Sequence, residues 1–288
     1  MAMPRIRLAP SRRTAAWLLV WLATGVGCTA VLPRPTGPPG HFTVVRQQLV
    51  FHSDFALAAH HRLLDDLTVL RAELSRQIEL PSRDEPIDVY LFESPDRFER
   101  FVRARLGVAP SRRAYFVQSD TRLEVYAQWG DKLAEDLRHE VTHGYVHAAI
   151  AEVPLWLDEG LAEYFEVGCA RRGLNETHRE RLAVALAAGG WRPDLRRLER
   201  MDPGGEMSQD DYAESWAWIH YLLNGRPELR DVLRAYLTEL RSNPAAAPMS
   251  ARLAQVEPRV EDALIEHVRR LGAAGGPPVP LRAAAAGK

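Results

Sequence analysis

Lysine is almost missing from this chain. Of its 37 basic residues only Lys132 and Lys288 are lysines, the rest are arginines set among 38 acids, and the net charge is −1. No basic patch or stripe emerges, so nucleic acid is not an expected partner. Cysteine is scarce as well: Cys28 and Cys169 are the only two, which allows one disulfide at most. No internal repeat is present. What remains is 288 residues at 46% hydrophobic content, enough for a globular chain with a core in one large domain or two small ones.

The N-terminus has the layout of an export signal over residues 1–27. Arg5, Arg7, Arg12 and Arg13 precede the apolar run "TAAWLLVWLATGVG". Cys28 closes that run in "TGVGC", after the small Gly25 and Gly27. This resembles a bacterial lipobox, with Gly25 where that motif usually has leucine, and it makes Cys28 the expected lipid-anchored residue. The plainer readings are an incidental thiol or a disulfide with Cys169. The uncharged stretch from Thr14 to Pro33 is also close to the ~20 residues a membrane-spanning helix needs, so an uncleaved anchor stays open. With positive residues held inside, both anchors put the rest of the chain outside the cytoplasm, in a bacterial cell envelope and facing periplasm or exterior.

Residues 28–50, beginning "CTAVLPRPTGPPG", read as a Pro/Gly-rich tether. Residues 51–271 read as the folded domain, and 272–288 as a disordered tail. Inside the domain the periodicity predicts a helix from Asp54 to about Ile78 and a strand over 87–92. A short helix follows, capped by Ser94 with Pro95 at its first position, and then a hairpin from "RAYFVQ" and "RLEVYAQW". A helix over 132–150 ends before Pro154, and every later periodic segment is helical: 155–166, 177–188, 208–224, 227–241 and 259–270. The order predicts an α+β fold, a small mixed sheet followed by a C-terminal helical lobe.

The chemistry sits in "DLRHEVTHGYVH", residues 136–147. His139 and His143, four apart on a helix, share a face and can aim at one ion, while Glu140 lies about 100° round the helix, beside that ion. The spacing suits zinc hydrolysis: two neutral imidazoles and a third ligand hold the metal, and an open position takes a water whose pKa falls to about 7. Composition alone yields such a five-residue pattern roughly 3% of the time, so context matters. Leu133, Leu137, Val141 and Tyr145 give the helix an apolar side. Val146 and Ala149 occupy the Gly and His positions of a metzincin, which excludes that class. His147 shares the stripe, but a straight helix rarely aims three successive turns at one ion, so it reads as a packing or supporting residue.

A second block, "PLWLDEGLAEYFE" at 154–166, places Glu159, Glu163 and Glu166 at i, i+4 and i+7 of a helix that is apolar around its acids. A solvated acidic face is the common fate of such a run. A carboxylate in apolar surroundings needs a partner, and a metal is one.

The two blocks together resemble the gluzincins, zinc peptidases typified by thermolysin and the aminopeptidase N family, and are most similar to bacterial peptidase MA-like domains with their W-L-x-E-G-x-A block. The resemblance spans residues 85–240. It implies a zincin-like fold and Zn2+ as cofactor, with Glu159 as third ligand, Glu140 as general base, and Glu163 bonded to the first histidine. Fifteen residues separate His143 from Glu159, so the connection through Pro154 must be tight. A G-x-M-E-N segment is missing, and aminopeptidase activity is therefore not implied. Tyr212 matches the tyrosine that steadies an oxyanion in the aminopeptidase N Y-x-K-G block, although Glu214 and Ser215 replace the Lys-Gly. In such a fold the strand "RLEVYAQ" would flank the cleft, its open edge available to an extended peptide. The expected function is zinc-dependent hydrolysis of peptide bonds in an exported, lipid-anchored protein. The rival is a non-catalytic zincin-fold binding protein of the envelope, against which Glu140 speaks, since ligation alone does not need it.

Overall fold

The computed structural model describes residues 37–59, 61–107 and 111–274. The export segment, Cys28 and the first part of the tether lie outside the described residues, as does the tail beyond Ala274. Five strands form one mixed sheet: β1 (Phe42–Arg46), β2 (Leu49–Ser53), β3 (Ile87–Phe92), β4 (Ala114–Gln118) and β5 (Leu123–Gln128). Their order is β1-β2-β3-β5-β4. β2, β3 and β5 run parallel with Leu49, Ile87 and Leu123 in register, while β1 and β4 are antiparallel edges.

The two-residue alternation of strands sorts side chains onto two faces. Ile87, Val89 and Leu91 of β3, Val125 of β5 and Phe116 of β4 enter the main core with the helices. Tyr90, Phe92, Tyr115, Val117 and Tyr126 point the other way, into an aromatic layer closed by Phe98, Phe101 and Leu106 of α2 (Pro95–Leu106). Ser94 caps α2 by accepting from Arg97 N, as its sequence foretold.

Two boundaries are corrected. Residues 42–50 form β1, a tight turn and the start of β2, and not a tether. Their hairpin turns at Gln47, a non-glycine residue at φ 51, so the usual glycine signal is missing, and Phe42 and Val45 are exposed on an edge strand. The first helix, α1, is Arg62–Ile78 and not Asp54–Ile78. His61 Nδ1 accepts from Leu63 N at its start, and Asp54 is instead held in an ion pair with Arg97 on α2.

α3 (Leu133–Ala149) carries the two-histidine motif and packs on β3, β4 and β5 with α1 beside it. Gly144 permits that approach: a Cβ there would stand 3.1 Å from the Ile87 side chain. The helical lobe follows as α4 (Leu155–Phe165), α5 (Glu176–Ala187), α6 (Leu195–Glu199), α7 (Gln209–Asn224), α8 (Pro227–Leu240), α9 (Met249–Val256) and α10 (Val260–Ala274). α6 and α9 are too short to show a period in sequence, and α10 takes in the first three residues of the expected tail. α4 and α7 cross closely at Gly160, where a Cβ would meet Ser215 O at 2.7 Å. Among the described residues no helix is long and apolar enough to cross a membrane.

Candidate metal centre

The seam between α3 and α4 is polar and buried, and it is tied at one end by Arg138. This side chain donates to Phe165 O at 2.9 Å, to Glu73 at 2.7 Å and to Asp66 at 3.1 Å. It thereby binds α3 to α1 and to the C-terminal end of α4, where a cation is favoured. Pro154 sits at the N-terminal boundary of α4 and the chain turns tightly there, so that α4 lies along α3.

His139, His143 and Glu159 converge. The two Nε2 atoms are 3.3 Å apart, and each is 3.6 Å from Glu159 Oε2. Glu159 Oε2 is buried and has no hydrogen-bond partner among the described residues. Ligand atoms ~2.1 Å from a tetrahedral ion stand about 3.4 Å from one another, so the spacing of the triangle is that of three ligands of one zinc ion.

The outer nitrogens of both imidazoles meet carboxylates. His139 Nδ1 is 3.1 Å from Glu166 Oε2, and His143 Nδ1 is 2.9 Å from Asp158 Oδ2. The acid on the first histidine is therefore Glu166, not Glu163. Glu163 accepts from His178 at 2.8 Å and from Asn175, which also donates to Glu166 at 2.6 Å. His147, the supporting histidine, reaches the same Asp158 Oδ2 at 3.2 Å.

Electrostatics follow from this packing. Burial opposes charge on His139, but Glu159 and Glu166 outweigh it and hold the imidazole well above its ordinary range. Burial also lifts Glu140, against the nearby His139 and Arg112. Burial and then repulsion from Glu163 push Glu166 up to about 7, whereas the His178 contact overcomes burial and holds Glu163 low. Burial thus works against ionised Glu140 and Glu166 along the seam, a strain that a divalent ion relieves.

Glu140 faces a cleft of about 500 Å³, lined also by Arg112, Ala114, Gln128, His139 and Gln209. Its Oε2 accepts from Phe116 N of β4 at 2.7 Å. The Phe116 ring stacks on His143 and His147, so one residue of the edge strand touches three groups of the seam. β5 is paired on both sides, so the open edge expected of it belongs to β4. Tyr212 is 2% exposed and packs with Leu155 and Met207. Gln209, not Tyr212, is the α7 residue on the cleft wall.

The family described as "Protein of unknown function (DUF1570)" matches residues 134–245, from the start of α3 to just beyond α8. No curated protein matches the chain. The matched stretch contains every candidate ligand.

The structure thus brings together Glu140 and the His139, His143 and Glu159 triangle, with Glu163 one contact away. Sequence reasoning missed Asp158, Phe116 and the assignment of Glu166. Asp158 had a usable signal, a carboxylate in the apolar stretch "WLDEGLA". The other two depend on how β4 and α4 approach α3.

Proposed function

We propose that the chain is a gluzincin-type zinc metallopeptidase, held on the outer side of a bacterial membrane by its N-terminal segment. The observation that carries this reading is the triangle of His139 Nε2, His143 Nε2 and the buried Glu159 Oε2, an oxygen that accepts no hydrogen bond among the described residues. A mixed sheet, a two-histidine helix against it and a helical lobe supplying the third carboxylate agree with the zincin-like fold that the resemblance implies.

His139, His143 and Glu159 would hold the ion. Bound there, zinc would supply Lewis acidity toward a carbonyl oxygen and lower the pKa of a water to about 7. Glu140 then acts as the base. The Phe116 N–H fixes one of its oxygens, and burial favours the protonated form that must later hand the proton to the leaving amine. Glu166 and Asp158 hold the imidazole rings by their outer nitrogens. Arg112, on the cleft wall, is a donor suited to a developing oxyanion, whereas Tyr212 packs with Leu155 and Met207 and does not line the cleft. An extended peptide has an open strand edge to follow along β4.

Glu140→Gln tests the mechanism. Bound zinc should persist while cleavage of a denatured-protein substrate falls by about 10²–10⁴-fold. Purified wild-type protein that takes up no zinc ends the reading, and so does undiminished cleavage by the variant.

A further inference from the structure

We infer that His147 is a positioning residue for His143, acting through Asp158. This rests on the zinc-centre reading and adds a residue to it. Asp158 is fully buried, and one of its oxygens, Oδ2, stands 2.9 Å from His143 Nδ1 and 3.2 Å from His147 Nε2. One buried carboxylate oxygen thus sits between the two rings, hydrogen-bonded to His147 Nε2 and close to His143 Nδ1. An ionised carboxylate there calls for a proton on each facing nitrogen, which would leave a bare lone pair on His143 Nε2, the atom that faces His139 Nε2 and Glu159, while His147 anchors the carboxylate from the opposite side. The Phe116 ring lies over both imidazoles at 23° and 25° to their planes, which holds the three groups in one layer.

The contrast with the first histidine gives His147 its significance. Glu166, which holds His139, is itself held by Asn175 and is partly open at the cleft wall. Asp158 is sealed from water, so no solvent molecule replaces a donor that is removed, and the loss rotates or recharges the carboxylate. His147 therefore sets the orientation of Asp158, and through it the aim of His143.

The test uses zinc and the whole chain. His147→Phe keeps the ring and its stacking on Phe116 but loses the N–H, whereas His147→Gln keeps a donor. Zinc affinity, measured by competition with a chelator, should fall about 10–100-fold in His147→Phe and recover at least partly in His147→Gln. The melting temperature of the zinc-free protein should fall by a few degrees in His147→Phe, because a buried carboxylate loses a donor, and should recover in His147→Gln. In a double-mutant cycle with Asp158→Asn the two losses should be strongly non-additive. A His147→Phe protein within twofold of wild-type affinity overturns the inference, and so do additive losses.

If His147→Phe does not fold, nitrogen-15 spectra of the wild-type imidazoles decide. Protonated His147 Nε2 and His143 Nδ1, both slow to exchange near pH 7, support the relay, and a proton on the other nitrogen of either ring overturns it. Because the spectra can be recorded without metal, they separate failure of this inference from failure of the zinc reading, which a wild-type protein unable to bind zinc would show.

Discussion

Among the described residues, two groups of buried histidines have opposite surroundings. At the α3–α4 seam, His139 and His143 each face carboxylates, and the first is driven toward its charged form. Between α7 and α10, His220 Nδ1 and His267 Nε2 bond each other at 2.8 Å among Tyr164, Trp216 and Tyr221. Burial lowers that pair to about 3 and 4, helped by Arg172 and Arg270. A buried imidazole is thus held toward its charged or its neutral form according to whether the fold sets an acid against it.

The largest expected effect tests the acid side. Glu159→Gln keeps the shape of the seam and removes its charge, and zinc affinity should drop by more than ~100-fold, read by chelator competition. The same substitution should leave the signals of His220 and His267 unchanged. A second measurement asks whether zinc stabilises as a ligand of the native state. At free zinc 100 times its Kd, stability should rise by about 2.7 kcal/mol over chelator-treated protein in a denaturant titration. An unchanged midpoint would place the seam beside the other pair as an ordinary polar core.

Acid should break the second group. The folded pKa values of His220 and His267 lie below the unfolded value near 6.5, so between these limits the unfolded chain binds more protons. Their neutral pairing costs nothing above about pH 6.5, and stability is lost as pH falls from there toward about 3. His267→Phe should flatten that loss by roughly 2 kcal/mol at pH 4.5, measured as the difference in unfolding free energy from pH 7. An unflattened profile would mean that other groups carry the acid sensitivity.

The smallest effect concerns Tyr212. Its ring packs with Leu155 and Met207, and Tyr212→Phe should keep peptide cleavage within about twofold and stability within ~1 kcal/mol. A hundredfold loss of turnover with unchanged KM would return the phenol to the reaction.

Much of the centre was legible before folding was considered. His139, Glu140 and His143 sit on one helix, where a spacing of four sets their common face locally. Glu159 was legible because "WLDEGLAEYF" is too apolar for a solvated acidic face, and Gly160 within it proves to be the point where α7 crosses α4. The match of Glu163 to a partner of the first histidine failed because α4 lies along α3 in a register that brings Glu166 to His139 and turns Glu163 toward α5. β1 was illegible because it is an exposed edge strand, with a turn that lacks glycine.

The sequence by itself determined the α+β class, the two-histidine helix and the acid-bearing helix after it, since each depends on the period of a single element. Only the tertiary structure decided which acid meets which nitrogen, that β4 and not β5 is the open edge, and that among the described residues His220 and His267 bond each other and not a carboxylate. Those outcomes depend on the angle and register at which elements tens of residues apart come to pack, and no local pattern encodes them.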